Sequence, residues 1–164
     1  MPMCEFLVGA MVVGIGATAF MDLAAWARKY FLGMPSADYG LVGRWIAYMP
    51  RGRLIHRPIA VSPSVRGERI IGWSAHYLIG IVFAGVLLAI GGIDWLRHPA
   101  IIPALMVGIG SVAAPFLLMQ PGMGSGIAAR RTPKPNAARL RSLLTHGVFG
   151  LGLYGAGVAV SLLR

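Results

Sequence analysis

Four long apolar segments constrain this chain more than any other feature. They run from about Phe6 to Trp26, Ile70 to Ile93, Pro99 to Met119 and Leu143 to Leu163. A helix of roughly 20 apolar residues crosses the ~30 Å hydrocarbon core of a bilayer, and each segment reaches that length. Backbone polar groups in lipid must be satisfied within the segment itself, which helices achieve. We therefore predict an all-α membrane protein, a four-transmembrane-helix bundle in which residues 1–164 form a single integral membrane domain.

Composition excludes the ordinary soluble classes. Only 12% of the residues are charged and 57% are apolar, against roughly 25% charged residues in soluble domains. The net charge of +10 would suggest nucleic acid in a soluble protein. Positive charge beside membrane helices more commonly reflects membrane topology. We therefore expect no nucleic-acid partner, and we expect contacts with the lipid bilayer and its anionic headgroups.

The basic residues are concentrated in two of the connecting segments. Eight Lys or Arg residues lie between Ala27 and Gly72 and five lie between Gln120 and Ser142, out of 15 in the chain. Short cytoplasmic loops carry the excess of Lys and Arg in membrane proteins. The pattern predicts a multi-pass protein of the bacterial inner membrane with both basic loops cytoplasmic and both termini periplasmic.

The first basic loop contains a short amphipathic stretch at about residues 37–49. Leu41, Trp45 and Tyr48 recur at i, i+4 and i+7, and Ser36 is a candidate N-cap. Two placements are open for this helix. It lies in the cytoplasmic interface with its aromatic rings at headgroup level, or it packs on the bundle.

Four polar residues lie near the predicted cytoplasmic ends of the spans, one on each helix: Asp22, His76, Gln120 and His146. At 1.5 Å of rise per residue they fall within about two turns of one interface. Small residues flank them at i±4 spacing, namely Ala10, Gly14 and Thr18 before Asp22, Gly72 and Gly80 around His76, and Gly150 after His146. Small residues mark close helix packing, so the polar side chains are predicted to point inward.

An ionisable residue inside a membrane bundle is a functional-site hypothesis by default. Asp22, His76 and His146 are therefore the candidate catalytic residues. Two histidines and a carboxylate also form a recognised ligand set for a divalent metal such as non-haem iron or zinc. Haem is less favoured, because both histidines lie close to one surface. The alternative is a salt-bridge network at the membrane edge with no chemistry, and enzymatic activity stays open.

A second set of residues suits an anionic ligand. It comprises Arg44, Gln120, Gly124, Arg130, Arg131 and Arg139. The glycine-rich stretch PFLLMQPGMGSGIAARRTPKPN, Pro115 to Asn136, lacks the phosphate-loop motif. We predict that it ends the third helix at Gln120 and links it to a fourth helix capped by Asn136. Glycine amides and arginines would then give this loop an anion-binding role.

Four stretches of the sequence carry a family resemblance: "GIGATAFMDLAAW", "LVGRWIAYMPRGR", "RGERIIGWSAHYLIGIVFA" and "PFLLMQPGMGSGIAARRTPKPNAARLRSLLTHGVFGLGLY". They resemble an uncharacterised bacterial membrane-protein family, domain of unknown function 2938, over nearly the whole chain. The resemblance implies a four-span inner-membrane protein and no assigned activity.

Three functions remain in view. The first is a membrane-embedded binding or catalytic site, open to the cytoplasmic leaflet, that handles an anionic or lipidic small molecule. The second is a non-catalytic accessory subunit of a larger membrane complex, favoured by a glycine-rich fourth helix. Its glycines are Gly147, Gly150, Gly152, Gly155 and Gly157. The third is a small transporter, which would need a homo-oligomer because four helices are few for a pathway.

Overall fold

The computed structural model describes residues 2–163, and this part of the chain is helical and contains no β-strand. The main helices are α1 (Pro2–Leu32), α2 (Tyr39–Tyr48), α3 (Glu68–Gly91), α4 (Ile101–Gly110), α5 (Gln120–Met123) and α6 (Pro135–Leu162). Four helical segments are long and apolar enough to cross a membrane: Met3–Leu32, Glu68–Gly91, Ile101–Met123 and Pro135–Leu162. The all-α, four-span prediction is confirmed.

The chain divides into two compact units. The first unit comprises Met1–Ser36, Tyr77–Ser111 and Leu144–Arg164, and the second comprises Ala37–His76 and Val112–Leu143. The prediction of a single domain is not tested by this division and stays a prediction.

Glycines bring the helices of the first unit into close backbone contact. A Cβ added to Gly14 of α1 would lie 2.5 Å from the Cα of Ile81 in α3, and one added to Gly108 of α4 would overlap the backbone of Gly150 in α6. Thr18 is fully buried and donates its hydroxyl proton to the carbonyl of Gly14 at 2.7 Å. The inward-facing small-residue face predicted on α1 is therefore confirmed, and it packs as membrane helices do.

Aliphatic side chains and one tryptophan fill the interior of the first unit. Val13, Leu87 and Leu153 have no exposed surface. The Trp95 ring covers Gly157 of α6, and its Nε1 donates to the carbonyl of Ala100 at 3.2 Å. The indole N–H thus has the partner that a buried tryptophan requires.

The third span is interrupted. Helix α4 ends at Gly110, a turn follows at residues 111–112, and a π-helical turn covers Pro115–Met119 before α5 continues to Met123. Pro115 has no N–H, so the helix cannot satisfy the carbonyl four residues earlier, that of Ser111. The predicted end of this helix at Gln120 was wrong. The helix runs on until Gly124, whose φ of 99° suits a glycine C-cap.

Two predicted N-caps were also wrong. Asp38, not Ser36, caps α2, and its Oδ1 accepts from the backbone N–H of Gly40 at 2.8 Å. A carboxylate nearer the first orphan amides takes the capping role. Helix α6 begins at Pro135, because proline suits the first helical position. Asn136 therefore lies inside the helix.

Helix α2 packs closely on the first turns of α3 in the second unit. A Cβ on Gly43 would overlap the carbonyl of Glu68, and a Cβ on Gly72 would overlap the carbonyl of Tyr39. Helix α2 is thus packed on α3, and its placement in the cytoplasmic interface stays a prediction. The face in closest contact is the glycine face, and Trp45 is only partly buried.

Hydrogen bonds hold the loop that follows α2 against α2 and α5. Trp45 Nε1 donates to the carbonyl of Leu54 at 2.9 Å, and its ring covers Gly122. The backbone N–H of His56 donates to the carbonyl of Gly122 at 2.8 Å. The Tyr48 hydroxyl donates to the carbonyl of Pro63 at 3.0 Å. The loop after α2 is thus an ordered part of this unit.

Candidate functional site

His146 meets a buried serine at the break in the third span. Its Nδ1 lies 2.6 Å from the Oγ of Ser111, a side chain with 2% exposure. Ser111 Oγ also lies 2.6 Å from the carbonyl oxygen of Gly108. Both residues belong to the first unit. The polar pair lies where Pro115 and a π-helical turn disturb the regular hydrogen bonding of a membrane span, and π-helical turns are frequent at functional sites.

These two contacts favour one tautomer of His146. The Gly108 carbonyl can only accept, so the serine must donate its single hydroxyl proton to it. The contact between Ser111 Oγ and Nδ1 then requires a proton on Nδ1. In a neutral imidazole the basic lone pair therefore lies on Nε2. Ser111 therefore orients the His146 ring and favours the tautomer with a proton on Nδ1.

Asp22, the candidate carboxylate, pairs with a phenol in the first unit. The Tyr77 hydroxyl donates to Asp22 Oδ2 at 3.1 Å, joining α1 to α3. Nearby in sequence, Arg28 Nη2 donates to the hydroxyl of Thr145 at 3.3 Å, joining α1 to α6. Polar side chains thus connect three helix pairs of this unit: α1 with α3, α1 with α6, and α4 with α6.

His76, the third candidate catalytic residue, lies in an aromatic cluster of the second unit. Its ring stacks on Tyr39 with centroids 4.1 Å apart and planes 24° apart. Trp73 contacts both rings: its centroid lies 5.8 Å from that of His76 in an edge-on arrangement and 4.7 Å from that of Tyr39 with the planes tilted by 55°. His76 therefore ties the start of α3 to the start of α2.

No metal centre is apparent in the described part of the chain. Between residues 2 and 163, no group of three or more His, Cys, Asp and Glu side chains is placed to hold a metal ion. The assignment of Asp22, His76 and His146 as metal ligands gains no support, and the function proposed below does not use it.

Arg44, a predicted anion ligand, is engaged in an internal ion pair. Its Nε and Nη2 each donate to a Glu68 carboxylate oxygen at 2.8 Å, and Nη1 donates to the carbonyls of Ser62 and Ala60 at 2.9 and 3.4 Å. Glu68 also accepts from the backbone N–H of Val65. Hydrogen bonding to Glu68 raises the pKa of Arg44 above its usual value. Each guanidinium nitrogen has a partner, so Arg44 holds the loop to α3.

Arg139 donates a hydrogen bond to a strained turn in the glycine-rich loop. Ala128 and Ala129 have φ values of 47° and 58°, a left-handed conformation that costs a non-glycine residue about 1–2 kcal/mol. Arg139 Nε donates to the carbonyl of Ala128 at 2.8 Å, and Thr132 Oγ1 donates to that of Ala129 at 2.8 Å. Arg139 Nη1 also donates to Asn136. Strain of this kind persists where the surroundings impose it, often at functional sites.

Arg130 and Arg131 converge over Gly126. A Cβ on Gly126, whose φ is 73°, would lie 2.8 Å from the Cγ of Arg130 and 3.0 Å from the Cγ of Arg131. Both arginines are exposed, and neither forms an ion pair with a side chain between residues 2 and 163. Within the predicted anion set, this exposed pair has the unneutralised charge that an anion needs.

Gln120 and Gly124 contribute less to anion binding. Gln120 Oε1 is buried and accepts no hydrogen bond from the described residues, while Nε2 lies 3.5 Å from Ser142 Oγ. A buried, unmatched carbonyl oxygen needs a donor, so Gln120 suits a hydroxyl or ammonium group better than an anion. Gly124 lies against the backbone of His56 and Pro58, where no side chain fits.

The comparison with known families agrees with this architecture. The sequence model of a family described as "Protein of unknown function (DUF2938)" matches residues 11–160. The chain belongs to this family. No curated protein and no solved structure matches the chain. The range matched by the DUF2938 model includes Asp22, Tyr77, Ser111 and His146.

Sequence reasoning missed Ser111 and Tyr77 in this DUF2938 protein. A usable signal existed for Ser111, which is the lone hydroxyl in the apolar segment from Pro99 to Met119 and precedes Pro115 by four residues. Pro115 leaves the carbonyl of residue 111 without its helical N–H donor, and a serine hydroxyl at that position can compete for backbone hydrogen bonds. Together they predict a local break in the helix. Tyr77 had no such signal, because a tyrosine beside a histidine at a helix end is ordinary interfacial sequence.

Proposed function

We propose that this protein is a bacterial inner-membrane protein with an acid–base site centred on His146 that acts on, or binds, an anionic or lipidic molecule. The observation that carries the proposal is the contact between Ser111 and His146 at the interruption of the third span. Keeping ionisable groups inside a membrane is costly, and they are retained there chiefly for function.

The local chemistry suits proton exchange. Histidine titrates near neutral pH, so it accepts and releases protons under physiological conditions. With Nδ1 protonated and bound to Ser111, Nε2 is the nitrogen that takes up the proton. Asp22, held by the Tyr77 hydroxyl, is a second acid–base group of the same unit.

The class of ligand is inferred from the second unit, considered by itself. The aliphatic stems of Arg130 and Arg131 both lie close to Gly126, and neither arginine has an acidic partner among the described residues. Guanidinium groups bind phosphates and carboxylates through paired N–H donors. An anionic headgroup is the ligand that such a pair favours.

Orientation is a separate part of the proposal. The two basic loops face the cytoplasm, following the distribution of Lys and Arg. A membrane-impermeant maleimide tests it in intact cells. Cys4, the lone and exposed cysteine, should be labelled from the periplasm. Ser64→Cys in a Cys4→Ser background should be labelled only after permeabilisation, and the reverse pattern would invert the orientation.

The acid–base site is tested by ¹⁵N NMR of histidine-labelled protein in lipid nanodiscs, with each signal assigned through a His→Gln variant. His146 should show the Nδ1–H tautomer when neutral. Ser111→Ala should shift it towards the Nε2–H tautomer, and Ser111→Thr should restore the original signal. Adding decyl phosphate, an anionic amphiphile, should move the His146 signals, whereas decyl maltoside should not.

The exposed His98 serves as the internal reference when decyl phosphate is added. A His146 signal that stays in the Nε2–H form in the wild type would remove the basis of the site. Equal responses of His146 and His98 to decyl phosphate would show a general surface effect and would contradict a specific site.

One observation favours an accessory subunit as the second candidate function. Cβ atoms added to Gly147 and Gly155 of α6 would meet nothing within 4 Å, whereas Gly150, Gly152 and Gly157 are occupied by internal packing. Close-packing positions that the first unit leaves open suit a neighbouring membrane helix. Native mass analysis after gentle extraction should then find a larger complex, and a lone monomer would count against this candidate.

A further inference from the structure

Helix α1 is longer than a bilayer core. Its 31 residues extend over about 46 Å at 1.5 Å per residue, against roughly 30 Å of hydrocarbon. One end of the helix must therefore pass through the headgroup region. Near its C-terminal end, Trp26, Lys29 and Tyr30 line an open cleft of about 340 Å³.

Two aromatic rings form one wall of this cleft. Trp26 and Tyr30 stack with their centroids 5.6 Å apart and their planes 12° apart. Both are largely exposed, at 58% and 72%. Tryptophan and tyrosine favour the level of the headgroups, because each combines an apolar ring with a polar hydrogen-bonding group.

Lys29 supplies the charge. It is exposed and forms no ion pair with any side chain that the structure describes. Its neighbour Arg28 differs, because it is partly buried and donates to Thr145. Lys29 is therefore the cation at this end of α1 that is available to an outside anion.

An apolar track leads away from the cleft along α1. Leu23 is 61% exposed and Phe20 is 47% exposed. At about 100° of rotation per residue, Leu23, Trp26 and Tyr30 fall within an arc of about 60° on the helix, with Phe20 and Lys29 at its two sides. The same face thus offers an apolar surface for an acyl chain and, one to two turns later, rings and a cation.

We propose that this cleft binds one anionic glycerophospholipid. Its phosphate pairs with Lys29, its headgroup lies against the stacked Trp26 and Tyr30, and an acyl chain follows Leu23 and Phe20. A choline headgroup fits less well, because the Lys29 ammonium repels its positive charge. The proposal rests on α1 alone and is independent of the acid–base site.

Tryptophan quenching by brominated lipids tests this site. The protein is reconstituted in phosphatidylcholine with increasing brominated phosphatidylglycerol or, separately, brominated phosphatidylcholine. The Trp26 signal is obtained as the difference between each protein and its Trp26→Phe counterpart. We expect brominated phosphatidylglycerol to associate about five-fold more strongly than brominated phosphatidylcholine at Trp26, since one basic residue near the surface contributes about 1 kcal/mol.

Variants of Lys29 separate a site from general lipid contact. Lys29→Gln should abolish the preference, Lys29→Arg should keep it, and Lys134→Gln, which removes an exposed lysine elsewhere, should leave it unchanged. Equal association of the two lipids with the wild type would refute the proposal. So would a preference that survives in Lys29→Gln, or a preference for phosphatidylcholine. Circular dichroism and size-exclusion profiles confirm that each variant is folded.

Discussion

The two units of this protein are stabilised in different ways. In the first, helices approach through glycines, and the interior is filled by aliphatic side chains such as Val13 and Leu87. In the second, Arg44 and Glu68 form a two-pronged ion pair, and side chains bind loop carbonyls. Membrane helices gain no hydrophobic driving force against each other, so close packing decides the first unit. The second unit also has close glycine contacts, between α2 and α3, and it adds to them an ion pair and hydrogen bonds that hold its loops.

Of four single changes, overpacking a helix contact in the first unit should have the largest effect. Gly108→Ala places a Cβ against the backbone of Gly150, and backbone atoms cannot move aside as a flexible side chain would. We expect a loss of about 3 kcal/mol or more in unfolding free energy, at the upper end for overpacked cores. Gly110→Ala is the matched control, since its Cβ would meet nothing within 4 Å. Equal unfolding midpoints in detergent for the two variants would contradict backbone packing as the stabilising feature.

The ion pair of the second unit should give the next largest effect. Arg44→Gln leaves Glu68 without its partner and leaves the Ser62 carbonyl without its 2.9 Å donor. We expect the thermal midpoint to fall by several degrees. Arg97→Gln, which breaks an exposed pair with Asp94 at 3.2 Å, should change it little. If the two variants have the same thermal midpoint, the Arg44–Glu68 ion pair does not stabilise the second unit.

A single hydrogen bond in the second unit should have a smaller effect. Trp45→Phe removes the Nε1 donation to the Leu54 carbonyl and also the indole atoms Nε1, Cε2 and Cζ2 that lie over Gly122. The expected loss is at least about 1 kcal/mol, the net value of one such bond. Trp26→Phe, at an exposed ring, is the control and should be nearly neutral. Chemical unfolding followed by circular dichroism measures both.

The smallest effect should have the opposite sign. Gly155→Ala adds a methyl group where nothing lies within 4 Å. The isolated protein should gain roughly 0.5–1 kcal/mol from the lower conformational entropy of alanine. Gly150→Ala on the same helix should destabilise, because its Cβ would lie 3.0 Å from the Cα of Leu105. A destabilising Gly155→Ala would show that its face is already covered.

The candidate site was predictable in part. Asp22 and His146 were found from their position and their small neighbours, and both make polar contacts in the first unit. Their partners Tyr77 and Ser111 lie 55 and 35 residues away in sequence. Such pairings depend on how whole helices are rotated against each other. Local sequence patterns do not predict that rotation. The strained turn at Ala128 and Ala129 was equally hidden, because alanine gives no signal for a left-handed backbone.

By itself the sequence determined the helical class, the four spans and the inward face of α1. Each follows from a local property: the length of an apolar segment, or a small residue at every fourth position. The tertiary structure alone decided that Arg44 binds Glu68 and that His146 is the side chain that meets Ser111 at the break of the third span. The physical reason is that a charged or hydroxyl side chain takes whichever partner helix packing brings within about 3 Å, and that choice is made between segments distant in the chain.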